Sequence, residues 1–348
     1  MATYKGIQGV PVQTLASDPT PTENFVGQLW YNSTSGTFKV GVAGTGTWAA
    51  GGSLNSARSG VGGSGSQTAT LAFGGAAPGD PSGAMDEVES YNGTAWTETT
   101  DLGSRRYQGG SIGQTSSDAA YVGGYSAPPP PLQSGKTEKW NGSAWTESGD
   151  LQSGRQGFFG GAGTTTAGLV AGSGPADGAT ETFDGTCWTE VNNLVTSRQY
   201  APVTGATSTA AICVGGYGIP ADSPFSNGPG SRVGLTETWN GTCWSQSSET
   251  LNLGRIEAGI SGSSTASVIA GGSTGDPAPP TTPTATAETW DGTSWTSVAA
   301  MADATQDMGA SRTSSTAAIM FGGYPGGSVS ASEEWTSPLF AVKTVTTS

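Results

Sequence analysis

The chain has 348 residues, a formal net charge of −14 and a pI near 4.2, with 13 Lys and Arg against 27 Asp and Glu. So few cations cannot neutralise a duplex or an anionic bilayer, which sets nucleic acid and membrane surfaces aside as partners. With no histidine, Ser-His, Cys-His and His-ligated metal chemistry are removed as well.

Residues 1–24, rich in Thr and Pro, contain no apolar h-region and so no secretory signal; an extended arm is expected there. Residues 25–50 follow as a β-meander, "GQLWYNSTSGTFKVGVAGTGTW" over 27–48, with a turn at Ser35-Gly36. Its last strand is expected to take the outermost place in whatever sheet precedes the repeats that follow.

From residue 51 to 348 the chain repeats itself. Trp48, Trp96, Trp145, Trp188, Trp244 and Trp295 are separated by 48, 49, 43, 56 and 51 residues. Arg58, Arg106, Arg155 and Arg198 come ten residues after the first four of these tryptophans, and Arg255 eleven after its own. In the sixth unit Gln306 stands in the arginine's place. An apolar run ending in glycine follows ("TLAFGG", "AYVGGY", "GLVAGS", "ICVGGY", "SVIAGG", "AIMFGG"), then a loop of variable length, then "x-T-E-x-W". Glu89, Glu138, Glu181, Glu237, Glu288 and Glu333 each precede the third-strand aromatic by two residues. Asn-Gly or Asp-Gly comes next, at Asn92-Gly93, Asn141-Gly142, Asp184-Gly185, Asn240-Gly241 and Asp291-Gly292, read as a type I′ hairpin turn before a fourth strand.

Each unit therefore predicts four strands, and a unit that cannot bury its own faces must repeat until a ring closes: an all-β propeller of six four-stranded repeats. The tryptophans Trp96, Trp145, Trp188, Trp244 and Trp295 are expected to pack blade on blade, each burial stabilising by roughly 2–3 kcal/mol. The arginines and glutamates, in so uncharged a frame, are read as structural partners between blades, with a ring of arginines gripping an anion as the alternative. Two closures stay open. Either the meander forms a thin seventh blade, or it laps onto the sixth beside a C-terminal edge strand, "AVKTVTTS". Cys187, Cys213 and Cys243 form no Cys-x-x-Cys and are expected to be free, mostly buried thiols.

The run of hydrophobic-Gly-Gly, aromatic, then Trp resembles the kelch repeat of β-propellers over residues 48–340. "GQLWYNSTSGTFKV" followed by "GTW" resembles a segment near the start of tail-fibre and other virion proteins of tailed bacteriophages, and the blade text resembles phage kelch-like propellers. The resemblance implies a virion structural protein, made in the host cytoplasm. Its arm and meander would bind other virion proteins, and its propeller would be displayed for host recognition.

An enzyme is not expected. The sialidase box spaces Asp and Gly apart whereas "DGTCW" joins them, and no carboxylate outside the repeated glutamates sits in a motif. No cofactor and no metal site are expected either: "SDPTPTE" and "STGDP" fit no calcium loop. The variable loops all emerge on one face, where recognition usually lives. Tyr125, Tyr217, Phe225 and Tyr324, which lie outside the repeated aromatic positions, are the candidate contacts for a host glycan or protein. The competing expectation is a connector whose loops face other virion subunits; a homo-oligomer is a separate expectation for the assembly.

Overall fold

The computed structural model describes residues 12–20, 27–78, 83–126, 132–157, 159–173, 177–217, 232–274, 282–338 and 340–345. Phe225, residues 1–11 and 21–24 of the arm, and much of the variable loops lie outside them.

The repeats fold as six sheets of a β-propeller, each with four antiparallel strands in the order first, second, third, fourth; the fourth sheet also takes Phe159–Gly160, parallel to its first strand Pro202–Thr207. In the first blade these strands are Gly62–Ser66, Ala69–Phe73, Val88–Tyr91 and Trp96–Glu98. The second strands (Asp118–Val122, Ala210–Val214 and Ser267–Ala270 among them) are buried almost end to end. A strand covered on both faces by neighbouring blades reads as a continuous apolar run, so these stretches do not alternate. Third strands have an aromatic turned inward beside the glutamate, as in Thr137–Trp140 and Thr236–Trp239.

The turn after the third strand differs from the expected type I′. Trp140 pairs directly with Trp145, so the loop between them has four residues. Only its glycine is left-handed, Gly142 at φ 95°. The Asn141 side chain accepts from the Ser143 and Ala144 amides at 3.0 and 2.9 Å, and Asp184, Asn240 and Asp291 repeat this. The short side chain turns the backbone by itself, so a second positive φ is not needed.

Every fourth-strand tryptophan clasps the preceding blade. The Trp188, Trp244 and Trp295 indoles donate to the hydroxyls of Thr137, Thr180 and Thr236 at 2.8–2.9 Å. Trp96 donates to Ser332 and Trp145 to the Thr100 carbonyl. Indoles bury well only when the N–H finds such an acceptor.

Neither expected closure describes the ends. Thr47–Ala50 completes the sixth blade beyond Ser332–Thr336, with Trp48 packed 5.3 Å from Trp335. The rest of the meander, Leu29–Asn32 and Thr37–Ala43, makes a separate sheet with Gln13–Leu15 and the C-terminal strand Phe340–Thr344. Among the described residues there is thus no seventh blade, and the C-terminal strand does not join the sixth. Residues 48–336 form one compact unit; residues 1–47 and 337–348 form the other. In the smaller unit the Trp30 indole and the Asn32 amide both donate to Asp18, which holds that carboxyl below its usual range, Asn32 most strongly.

Candidate functional site

The recurring arginines and glutamates turn out to be pairs inside single blades rather than between blades. Arg58 pairs with Glu89, Arg155 with Glu181 and Arg198 with Glu237, all within about 3% of full burial; Arg106 and Arg255 meet Glu138 and Glu288 at 2.9 and 2.7 Å. The guanidinium also donates to backbone carbonyls just past the second strand and just before the third, as Arg106 does to Gly123 and Lys136 at 2.8 Å. With every arginine engaged in this way, they form no anion-gripping ring. In the sixth blade the arginine's position belongs to Thr305, not Gln306. The Thr305 carbonyl accepts from Gly272 as the Arg106 carbonyl accepts from Gly75. The spacing misled because Arg255, unlike the other four, lies eleven residues past its tryptophan.

Two residues beyond each of these positions the chain turns onto the axis. Gly60, Gln108, Gly157, Tyr200, Glu257 and Asp307 all adopt positive φ, from 54° to 79°. Each donates its amide to the carbonyl of the preceding member, and Gly60 donates to Asp307, so six hydrogen bonds of 2.7–3.1 Å close a circle. Left-handed backbone costs a non-glycine residue of order 1 kcal/mol, and four such residues on one circle mark a site where side-chain identity outweighs local strain. The two glycines give the others room. A Cβ on Gly157 would stand 3.0 Å from the Tyr200 ring, and one on Gly60 2.9 Å from Gln108.

Around this circle, on the face where the variable loops emerge, lie three tyrosines, an amide and two acids. Tyr107 and Tyr125 pack at 5.2 Å between ring centroids. Gln108 donates to both oxygens of Asp307 at 3.3 Å. All of these groups are half-buried. Burial, and then the Asp307 charge, push the Glu257 carboxyl up to about 8, while Arg232 pulls it down. Burial likewise pushes Asp307 up to about 6. The Tyr200 phenol rises to about 12, chiefly by burial and then by Glu257, Tyr125 and Asp307. At neutral pH the mouth therefore offers a carboxylic acid O–H, a carboxylate, an amide and phenols: donors and acceptors with little net charge. Among the described residues no three Asp, Glu or Cys side chains converge as a metal ion requires.

Beneath the circle one buried side chain reaches across between blades. At the bulge where five first strands place Gly65, Gly113, Gly163, Gly205 and Gly262, the sixth places Arg312. Its guanidinium crosses the axis to the Gly161 and Val203 carbonyls. It is 4% exposed, and burial lowers it to about 10. No carboxylate pairs with it among the described residues.

Of the aromatic residues expected to make contacts, Tyr125 joins this cluster. Tyr217 holds the corresponding bridge in the fourth blade, between Gln199 and Arg232. Tyr324, 41% exposed, takes the same place in the sixth, its amide donating to the Gln306 carbonyl at 2.7 Å. Sequence reasoning missed Tyr107, Gln108, Tyr200, Glu257, Asp307 and Arg312. The only signal for four of them was their constant place, two residues past the arginine position, where other repeats carry glycine. Cys187 is exposed rather than buried, and all three thiols are free.

No family model matches the chain, and no curated protein matches it significantly. Among solved structures that share the fold is that of YjhT, 12% identical, with a TM-score of 0.65 over 83% of this chain and 99% of that one. At that identity the likeness is one of fold alone.

Proposed function

We propose that this protein is a recognition component of a tailed-phage virion, of tail-fibre or surface type, whose propeller takes a neutral host-surface glycan at the axial mouth. The observation that carries the reading is the rim of Tyr107, Tyr125 and Tyr200 around the amide and the half-protonated acids. Phenol rings present flat apolar faces to sugar C–H groups, and the amide and carboxyl groups suit vicinal hydroxyls. The virion assignment is supported by the resemblance of residues 27–48 to a tail-fibre segment and of the blades to phage propellers.

Replacing Tyr107 and Tyr125 together by alanine should lower adsorption to host cells at least tenfold, equivalent to about 1.4 kcal/mol of binding. Added salt should change adsorption little, because such contacts are not ion pairs. If the folded double variant adsorbs normally, the mouth is not the receptor site and the connector reading takes its place. A second reading rests on the upward shift of the Glu257 and Asp307 carboxyls, since an acid that keeps its proton near neutral pH can pass it to a glycosidic oxygen. Release of reducing ends from host glycan by wild type, but not by Glu257→Gln, would establish it.

A further inference from the structure

The sixth blade keeps the glutamate and lacks the arginine. In the first, second and fifth blades one guanidinium nitrogen meets the glutamate and the other meets two carbonyls: Gly74 and Glu87 for Arg58, Gly123 and Lys136 for Arg106, Gly271 and Thr286 for Arg255. The sixth blade retains the frame. The Gly322 amide donates to the Ala331 carbonyl at 2.9 Å, as Gly74 donates to Glu87 at 3.1 Å. Glu333 is 7% exposed and accepts from the Ala302 and Asp303 amides at 2.7 and 3.1 Å. Among the described residues no cation pairs with it.

Because Thr305 is much shorter than arginine, a cavity of about 240 Å³ stands in this blade, lined by Thr305, Gly322, Ala331 and Glu333 at its polar end and by Met301 and Met308 along its side. The Thr305 hydroxyl, in a residue only 6% exposed, lies buried with no hydrogen-bond partner among the described residues. Asp303 and Pro325, both exposed, form part of the lining, so the cavity reaches the surface past a further carboxylate.

We propose that this cavity is a binding site for an alkylguanidinium group. The five filled positions show which chemistry the frame accepts: a planar cation giving one hydrogen bond to a carboxylate and others to carbonyls, on an apolar stem. Thr305 adds a hydroxyl acceptor, and the methionine walls adapt to the stem. The group is either the side chain of a partner's arginine or a free guanidine; both present the same cation. This site is separate from the axial mouth and does not depend on the reading given to it.

The test uses the full chain and n-propylguanidinium, with neutral n-propylurea as the matched control, in titration calorimetry. The cation should bind and the urea should bind at least tenfold more weakly. Glu333→Gln should lose the preference. Thr305→Arg should lose binding altogether while melting at or above the wild-type temperature, because its own guanidinium fills the frame. A pentapeptide amide with a central arginine separates the sources: binding comparable to propylguanidinium assigns a partner's arginine, and exclusion assigns a free guanidine. Equal affinity for the urea, no binding to wild type, or unchanged binding in folded Glu333→Gln or Thr305→Arg would overturn the proposal.

Discussion

The first five blades and the sixth are written in the same repeat and folded into the same sheet, yet they hold their third strands differently. In blades one to five a buried arginine ties the glutamate to backbone carbonyls of the second or third strand or beside them, so charge is matched within the blade. In the sixth, two backbone amides hold the glutamate alone, and three of the five methionines of the chain, Met301, Met308 and Met320, line the space left over. The comparison shows that the carboxylate needs only the two amides to be kept in place. What the arginine adds is a clamp on the carbonyls.

The largest loss of stability is expected from Arg106→Ala. It leaves Glu138 without its cation and takes one hydrogen bond each from the Gly123 and Lys136 carbonyls, a loss of about 3–5 kcal/mol by the behaviour of buried pairs. The melting temperature should fall by roughly 10 °C. Glu333→Gln, which breaks no ion pair, should lower it by no more than roughly 3 °C. Equal losses would show that the arginines contribute little.

The axial circle draws the same distinction with acids in place of arginines. Blades one and three contribute glycine to it, whereas blades five and six contribute Glu257 and Asp307. These carboxyls titrate near 8 and 6 in the folded protein, against 4.5 and 3.8 for unhindered groups. The folded state therefore keeps protons that the unfolded chain has released. Stability from this source is complete below about pH 4 and is lost as pH rises through 6 and then 8. Wild type should melt roughly 10 °C lower at pH 8.5 than at pH 5, and Glu257→Gln should flatten most of that slope. A slope unchanged by the variant would remove the acids from the account.

Smaller still is the gain expected from Thr305→Arg, about 1 kcal/mol or some 3 °C, since the new ion pair must first order a long side chain. Smallest is Tyr324→Ala, which removes an exposed ring from the sixth blade and should shift stability by under about 0.5 kcal/mol.

The fold was largely legible because the repeated aromatics, Asx-Gly turns and apolar runs are local signals. The glutamates could be aligned by eye, and so could their partners except in the sixth unit, where a spacing of ten or eleven gave Thr305 or Gln306 and only the Gly272 contact decides. The axial site was not legible for a different reason. Gly60, Gln108, Gly157, Tyr200, Glu257 and Asp307 share no chemistry, and only ring closure brings residues from six repeats onto one circle. Arg312 was hidden likewise: it is unusual only once five glycines are seen at its place. The closing strand Thr47–Ala50 was foreseen in its role, but not its separation from Leu29–Asn32 and Thr37–Ala43, because a meander's strands need not stay in one sheet.

The chain enters the propeller at Trp48 and leaves at Thr336, on adjoining antiparallel segments of one blade joined by contacts such as Gly51 to Ser332 and Leu54 to Ser330. Mechanical load applied through the termini therefore meets the ring at a single seam. A force that parts the two segments peels this seam one hydrogen bond at a time, the weakest way to load a pair of strands. A force that draws both segments in the same direction leaves the seam unloaded. Thr37–Ala43 and Phe340–Thr344 are paired to each other before the chain reaches the ring, so a splitting force must first undo that second seam.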